Sequence, residues 1–384
     1  MTSIQIERLE IRIDDSVLDD LRDRLRRTRW IESAPGPSWG QGTDLGYLRH
    51  LTDYWLNEFD WRSQERHLNS FDHFITDLGG TKIHFVHARA KTGVGIPLVL
   101  THGWPSTFAE YLPLVPLLID PEAHGIDGPA FDLVIPSLPG YGFSERPSRT
   151  GITTRSTGRL WHDLMRRLGY KRYGAGGGDF GSAVSTFMAL DHPEPLLGIH
   201  LTNLDLSPHT GAGSRPLSAT EEQYLDKNNQ WSQAERGYSS IQSTKPQTLG
   251  YGLNDSPVGL AAWLVEKWRS WTDSAGDVDR TFTRDHLLTT ITLYWATQTI
   301  ASSMRDYVDN KASLIGPDDF VRTPTAIALF DHEFVSEGSP PREWAERLYN
   351  VQRWTNMPRG GHFAPAEEPE LLAQDIAKFF GTLQ

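Results

Sequence analysis

The amino-acid sequence predicts an α/β fold in which a mostly parallel sheet is preceded by a mostly helical extension and interrupted by a helical block. Three observations predict it. Between residues 91 and 210, short apolar runs alternate with helical stretches, the pattern of βαβ units. From 211 to 320 the periodicity is helical, with polar residues and Trp scattered through it. The strand and helix pattern then returns over 321–384. A helical block inserted in a parallel α/β pattern puts a lid over the C-terminal ends of the strands, where such sheets bind ligands.

In the N-terminal extension, residues 1–90, Ile4, Ile6, Leu9, Ile11 and Ile13 suggest a short strand. Asp15 and Ser16 offer a cap to a helix whose apolar positions include Leu18, Leu21 and Leu25. Leu48, Leu51, Trp55 and Phe59 share one face of a second helix, and a Pro/Gly/Trp-rich loop over 34–40 separates the two. Residues 74–88 read as short β segments about Gly79-Gly80, a two-residue hairpin signal. The core strands are expected at 96–101, 131–135, 173–175, 197–201 and 325–330, with a last helix around 370–380.

Composition excludes several classes. The 384 residues carry 37 Lys+Arg against 49 Asp+Glu, a net charge of 37 − 49 = −12, which argues against nucleic-acid and anionic-membrane partners. No Cys is present, so disulfides, thiolate metal sites and a Cys nucleophile are ruled out. A hydrophobic content of 38% with 13 Trp, 12 Tyr and 16 Phe fits a dense core. No apolar segment follows a basic start and no stretch reads as a membrane span, so the expected location is cytoplasmic.

The most informative segment is Gly176-Gly177-Gly178-Asp179-Phe180-Gly181-Ser182, between a short strand and an apolar helical pattern. Small residues around one reactive side chain at a strand-to-helix turn are what a nucleophile elbow requires. Asp179 is then the nucleophile, and the following helix N-terminus and the Phe180 amide favour an anion there. Gly176, Gly178 and Gly181 also satisfy Gly-x-Gly-x-x-Gly, but that dinucleotide fingerprint belongs after a domain's first strand. The literal Gly-x-Ser-x-Gly at 36–40 lacks a leading strand and a following helix. No cofactor is expected, and no His-Glu-x-x-His motif or similar signal supports a metal.

The strand at 96–101 runs into His102-Gly103-Trp104-Pro105, whose Trp104 amide would pair with that of Phe180 as an oxyanion hole. Near the C-terminus, Gly360-Gly361-His362-Phe363-Ala364 puts a His in a Gly-rich loop before the last helix. Nucleophile, acid, His is the chain order of α/β-hydrolases. The acid candidates are Asp331 and Glu333, after the strand at 325–330, and Asp205.

Together these three loops resemble the epoxide hydrolases of the α/β-hydrolase fold. Two further stretches narrow the resemblance to the microsomal-type branch with its N-terminal epoxide hydrolase extension. They are the Arg29-Trp30, Trp39, Tyr54-Trp55 and Phe59-Asp60-Trp61-Arg62 pattern, and the lid segments 237–246 and 253–257. The resemblance implies Asp179 as nucleophile, His362 as base and Glu333 as its acid partner. It also implies Tyr238 and Tyr307 as proton donors to the epoxide oxygen; Tyr251, Tyr294 and Tyr224 are rivals that spacing does not separate from them. Many members carry Trp where this chain has Phe180, but only the backbone is needed there. A membrane-anchoring N-terminus like that of some members is not read in this sequence, so a microsomal location is not expected.

The chemistry fits the residues. A Ser attacking an epoxide carbon would leave an ether, whereas a carboxylate leaves an ester that water can cleave. The implied activity is conversion of a small apolar epoxide and water to a vicinal diol, with detoxification or aromatic-hydrocarbon catabolism as its setting. A haloalkane dehalogenase with the same Asp nucleophile and a non-catalytic hydrolase-fold binding protein are the alternatives. The oligomeric state is open, a homodimer among the options.

Overall fold

A computed structural model describes residues 5–330, 332 and 339–383. Among them run nine strands: β1 (Glu7–Leu9), β2 (His73–Leu78), β3 (Thr81–Ala88), β4 (Ile96–Thr101), β5 (Phe131–Pro136), β6 (Tyr173–Gly177), β7 (Leu196–Leu201), β8 (Val321–Phe330) and β9 (Tyr349–Met357). They form one sheet in the order β1-β2-β3-β5-β4-β6-β7-β8-β9. The first four in that order pair antiparallel and the remainder parallel. β2 and β3 are joined through Gly79 and Gly80, at φ 62° and 84°, the left-handed pair that a tight hairpin demands. β4 lies between β5 and β6, so the loops leaving β4 and β6 emerge side by side.

Strand alternation builds a core on each face. Leu98 and Leu100 of β4 join the cluster of Leu114, Leu118, Leu372, Ile376 and Phe380. Val99 turns to the other face, with Trp161, Leu164, Val184 and Met188. The parallel strands are nearly all buried, which is why their sequences read as unbroken apolar runs. β9 was not among the expected strands. Its sequence, Tyr-Asn-Val-Gln-Arg-Trp-Thr-Asn-Met, is half-exposed at the sheet's edge and carries no apolar run.

The first helix, Asp15–Arg26, buries Leu18, Leu21 and Leu25 as expected, but its cap is Asp14, whose carboxylate accepts from the Ser16 amide. The second, Leu45–Asn57, buries Leu48, Leu51 and Trp55, and Phe59 falls beyond its end. Both helices are tied to the inserted helices between β7 and β8. Arg24 pairs with Asp255 at 2.6 Å, Tyr47 donates to Asp279 at 2.7 Å and Tyr54 to Asp285 at 2.9 Å. No helix among the described residues is long and apolar enough to cross a membrane.

The helical insertion is anchored at its start. Helix Ala219–Glu235 opens with a capping box between Ser218 and Glu221. Glu221 is wholly buried and meets Arg347 at 2.6 Å and Arg215 at 2.9 Å. The Arg347 hydrogen bonds, foremost, bring its carboxyl down to about 2. Glu221→Gln is expected to cost about 3 kcal/mol at pH 7, because it strands a buried guanidinium. A depressed carboxyl contributes stability above its unfolded pKa and loses it as pH falls. The gap to wild type in urea unfolding should therefore narrow from about pH 4.5 and close near pH 2. A gap independent of pH would mean the ion pairs are not its origin.

Candidate active site

At the end of β6 the chain turns through Asp179, at φ 52° and ψ −131°, into helix Phe180–Asp191. Such a turn holds only where neighbouring backbone can close in. A Cβ on Gly181 would stand 1.9 Å from the Thr101 carbonyl oxygen, and one on Gly103 2.3 Å from Asp179. The Asp179 amide donates to Asn203 Oδ1 at 2.9 Å and the Gly178 amide to the Tyr111 hydroxyl at 3.2 Å. Both partners come from neighbouring segments, so neither was legible in the elbow's own sequence.

The Asp179 carboxylate has two unlike oxygens. Oδ1 accepts from the Trp104 amide at 2.9 Å and the Phe180 amide at 2.8 Å, the two expected donors. Oδ2 lies 3.6 Å from His362 Nε2. The elbow amides that would cradle a phosphate in the dinucleotide reading are thus taken by the protein itself, Phe180's by the Asp179 carboxylate, Asp179's by Asn203 and Gly178's by Tyr111. The Gly-x-Ser-x-Gly decoy lies outside any strand-to-helix turn, with Ser38 donating to Asp44 at 2.9 Å.

The Trp104 loop is held by His102. Leu138's amide donates to its Nε2 at 3.2 Å, so Nδ1 carries the proton and donates to the Gly103 carbonyl at 3.0 Å. Burial brings this imidazole down to about 4, so it is neutral at pH 7. The Trp104–Pro105 peptide is cis.

Backbone and ring packing help to hold His362. Its amide donates to the Trp271 carbonyl at 2.8 Å, its ring lies 5.0 Å from that of Trp271, and the next ring, Phe363, stacks on Trp268 at 3.8 Å. Two carboxyls that the motifs did not point to lie near it. Glu367 accepts from the Phe363 amide at 2.9 Å and the Asp273 amide at 3.0 Å, and burial pushes it up to about 7 against those bonds. Burial also pushes Glu110 up to about 7, with Ser106 and His362 pulling the other way. Of the acid candidates, Asp331 and Glu333 lie outside the described residues; Asp205 lines the cavity above Asp179.

That cavity is about 370 Å³, and Tyr238 and Tyr307 of the inserted helices face it together with Asp179 and Phe180. Tyr238 stacks on the Trp104 indole at 5.5 Å and 9°, and Tyr307 packs edge-on to Phe180 at 5.1 Å. Burial first, then Asp179's charge, raises the Tyr238 hydroxyl; burial, the neighbouring Tyr238 and Asp179 raise that of Tyr307. Both are therefore protonated donors at neutral pH. Of their rivals, Tyr251 is 70% exposed and Tyr294 is spent on the Ser106 carbonyl at 2.8 Å, whereas Tyr224 also lines the cavity. Asn228, Arg236 and Lys311 make the lining mixed, more polar than the chain's aromatic content suggests. Among the described residues, no group of three or more His, Asp or Glu could hold a metal ion.

A family model described as epoxide hydrolase N terminus matches residues 6–111, and one described as alpha/beta hydrolase fold matches 96–369. A putative epoxide hydrolase of Stigmatella aurantiaca is 41% identical, over 98% of this chain and 84% of its own length. Epoxide hydrolase 1 of Sus scrofa is 38% identical, over 99% of this chain and 89% of its own. Among solved structures, the juvenile hormone epoxide hydrolase of the silkworm Bombyx mori superposes with a TM-score of 0.85 at 30% identity, covering 99% of this chain and 94% of that one.

Proposed function

The chain belongs to the epoxide hydrolase family of the α/β-hydrolase fold, and on that premise we propose that it opens an epoxide to a vicinal diol through a covalent ester on Asp179. The observation that carries this reading is the asymmetry of the Asp179 carboxylate on the cavity wall: Oδ1 held by two amides, Oδ2 3.6 Å from His362 Nε2. Oδ2 attacks an epoxide carbon while Oδ1 becomes the ester carbonyl. As the C–O bond breaks, Tyr238 and Tyr307 donate to the departing oxygen, which leaves as a hydroxyl. This proton matters because an alkoxide is a far poorer leaving group than the alcohol it becomes.

In the second step His362 takes a proton from water, and the hydroxide attacks the Asp179 carbonyl carbon. Charge then gathers on Oδ1, already held by the Trp104 and Phe180 amides, each such donor being worth about 3–4 kcal/mol. Collapse releases the diol with the proton from the imidazolium, and the carboxyl proton left on Asp179 returns to the phenolate formed in the first step, which restores carboxylate and phenol. Glu333 is assigned as the group that orients and charge-balances the imidazole. The dehalogenase alternative fits less well. A halide is served by weak N–H donors, whereas two phenols, matched to a nascent alkoxide, face this cavity.

The test is isotopic. In a single turnover of styrene oxide in H₂¹⁸O, the label is expected in Asp179 and not in the diol, read by mass spectrometry of the elbow peptide and the product. Label appearing in the first-turnover diol would show that water attacks the epoxide directly and would sink the ester.

A further inference from the structure

Helix Pro257–Ser270, one of the inserted helices, turns Leu260, Leu264 and Trp268 into the core, and Lys267 shares that buried side. Lysine seldom fills such a position, because its ammonium loses hydration there. Lys267 is only 5% exposed. Its Nζ lies 4.7 Å from the centroid of the Tyr238 ring and 5.8 Å from that of Trp271, and it pairs with the neighbouring Glu266. The pair alone does not account for the inward placement. Glu266 retains 23% of its side-chain exposure, so the same ion pair can form with the ammonium turned toward water.

We propose that Lys267 is a positioning residue for ring opening, its ammonium on the face of Tyr238 stabilising the negative charge that ring takes on as it gives its proton to the epoxide oxygen. The proposal rests on the reading of Tyr238 as a donor. The physical ground is direct. A cation over an aromatic face is attracted by the ring's electron density, and more strongly when both are desolvated. As the O–H bond lengthens, that density rises toward a phenolate, so the attraction is larger in the transition state than before it, and only such differences accelerate a step. Burial and Asp179 make Tyr238 a weaker acid and Arg236 acts in the opposite sense; the Lys267 ammonium lies over the ring face, where it would act in the same sense as Arg236.

The test is rapid-quench kinetics with styrene oxide, resolving alkylation of Asp179 from ester hydrolysis. Lys267→Met should slow alkylation roughly ten- to thirtyfold, the size of a desolvated cation–π contact. Hydrolysis, which needs no phenol, should stay within about twofold, and Lys267→Arg, which keeps the cation, should restore most of the alkylation rate. In a Tyr238→Phe background, Lys267→Met should cost little more. An equal loss in both backgrounds, or in both steps, overturns the proposal. Should the Met variant not fold, Lys267→Gln carries the same comparison. If Tyr238→Phe by itself leaves alkylation unchanged, the donor reading fails and this proposal with it. If Tyr238→Phe slows alkylation but Lys267→Met does not, the proposal alone fails.

Discussion

Asp179→Asn is expected to abolish diol formation, lowering turnover by roughly 10⁴- to 10⁶-fold, the loss seen when an enzyme's covalent nucleophile is removed. The substitution is the informative one because it changes so little else. An Asn oxygen can accept from the Trp104 and Phe180 amides as Oδ1 now does, at 2.9 and 2.8 Å, so the strained turn keeps its contacts. Asn also tolerates positive φ better than most residues, which suits a position at 52°. What disappears is an oxygen able to form an ester. No described carboxyl is placed to take over: Glu110 is buried and raised to about 7, and Asp205 lies beyond the elbow on the cavity wall. Wild-type urea stability with no turnover, and no alkyl adduct by intact-protein mass spectrometry, would match the proposal. Turnover within tenfold of wild type would remove Asp179 from the chemistry.

How much of this was readable in advance follows from how local each constraint is. The elbow could be read because its demands are steric and contiguous: Gly177, Gly178 and Gly181 surround Asp179 where Cβ atoms would strike Thr101 or Thr202. The Trp104 and His362 loops could be read for a similar reason, each being a short run of small residues around one functional group at a strand's end. Asn203 and Tyr111 could not. They reach Gly178 and Asp179 only because β7 lies beside β6 and the segment after β4 folds back over it, facts of sheet order that no single stretch encodes. Lys267 was silent because one lysine in a charged Glu266-Lys267 pair reads as solvent-facing and gives no sign of being turned inward. The tyrosines came from family resemblance alone. With 12 in the chain, only the cavity separates Tyr238 and Tyr307 from the exposed Tyr251 and the committed Tyr294. β9 and the Asp14 cap were missed on more ordinary grounds, an edge strand without an apolar run and a helix start displaced by one residue.

His362→Gln separates the two half-reactions, and its expected result is accumulation of the ester. Attack by Oδ2 needs a carboxylate and the two phenols but no base, so alkylation should proceed at close to the wild-type rate. Hydrolysis needs water to lose a proton as it attacks, and a Gln amide cannot accept one; loss of a general base typically costs about 10²- to 10⁴-fold. Because the ester would then form much faster than it breaks down, one equivalent of enzyme should gain one equivalent of epoxide, attached at Asp179. The surrounding loop should survive, since the His362 amide still donates to the Trp271 carbonyl and Phe363 still stacks on Trp268 whatever side chain stands at 362. The pattern discriminates sharply among alternatives. Adduct without release assigns His362 to the second step. Failure of both steps would mean the imidazole positions Asp179 as well, consistent with the 3.6 Å between them. Retained turnover without adduct would move the base elsewhere, with Glu110 and Glu367, both raised to about 7 beside His362, the next groups to substitute.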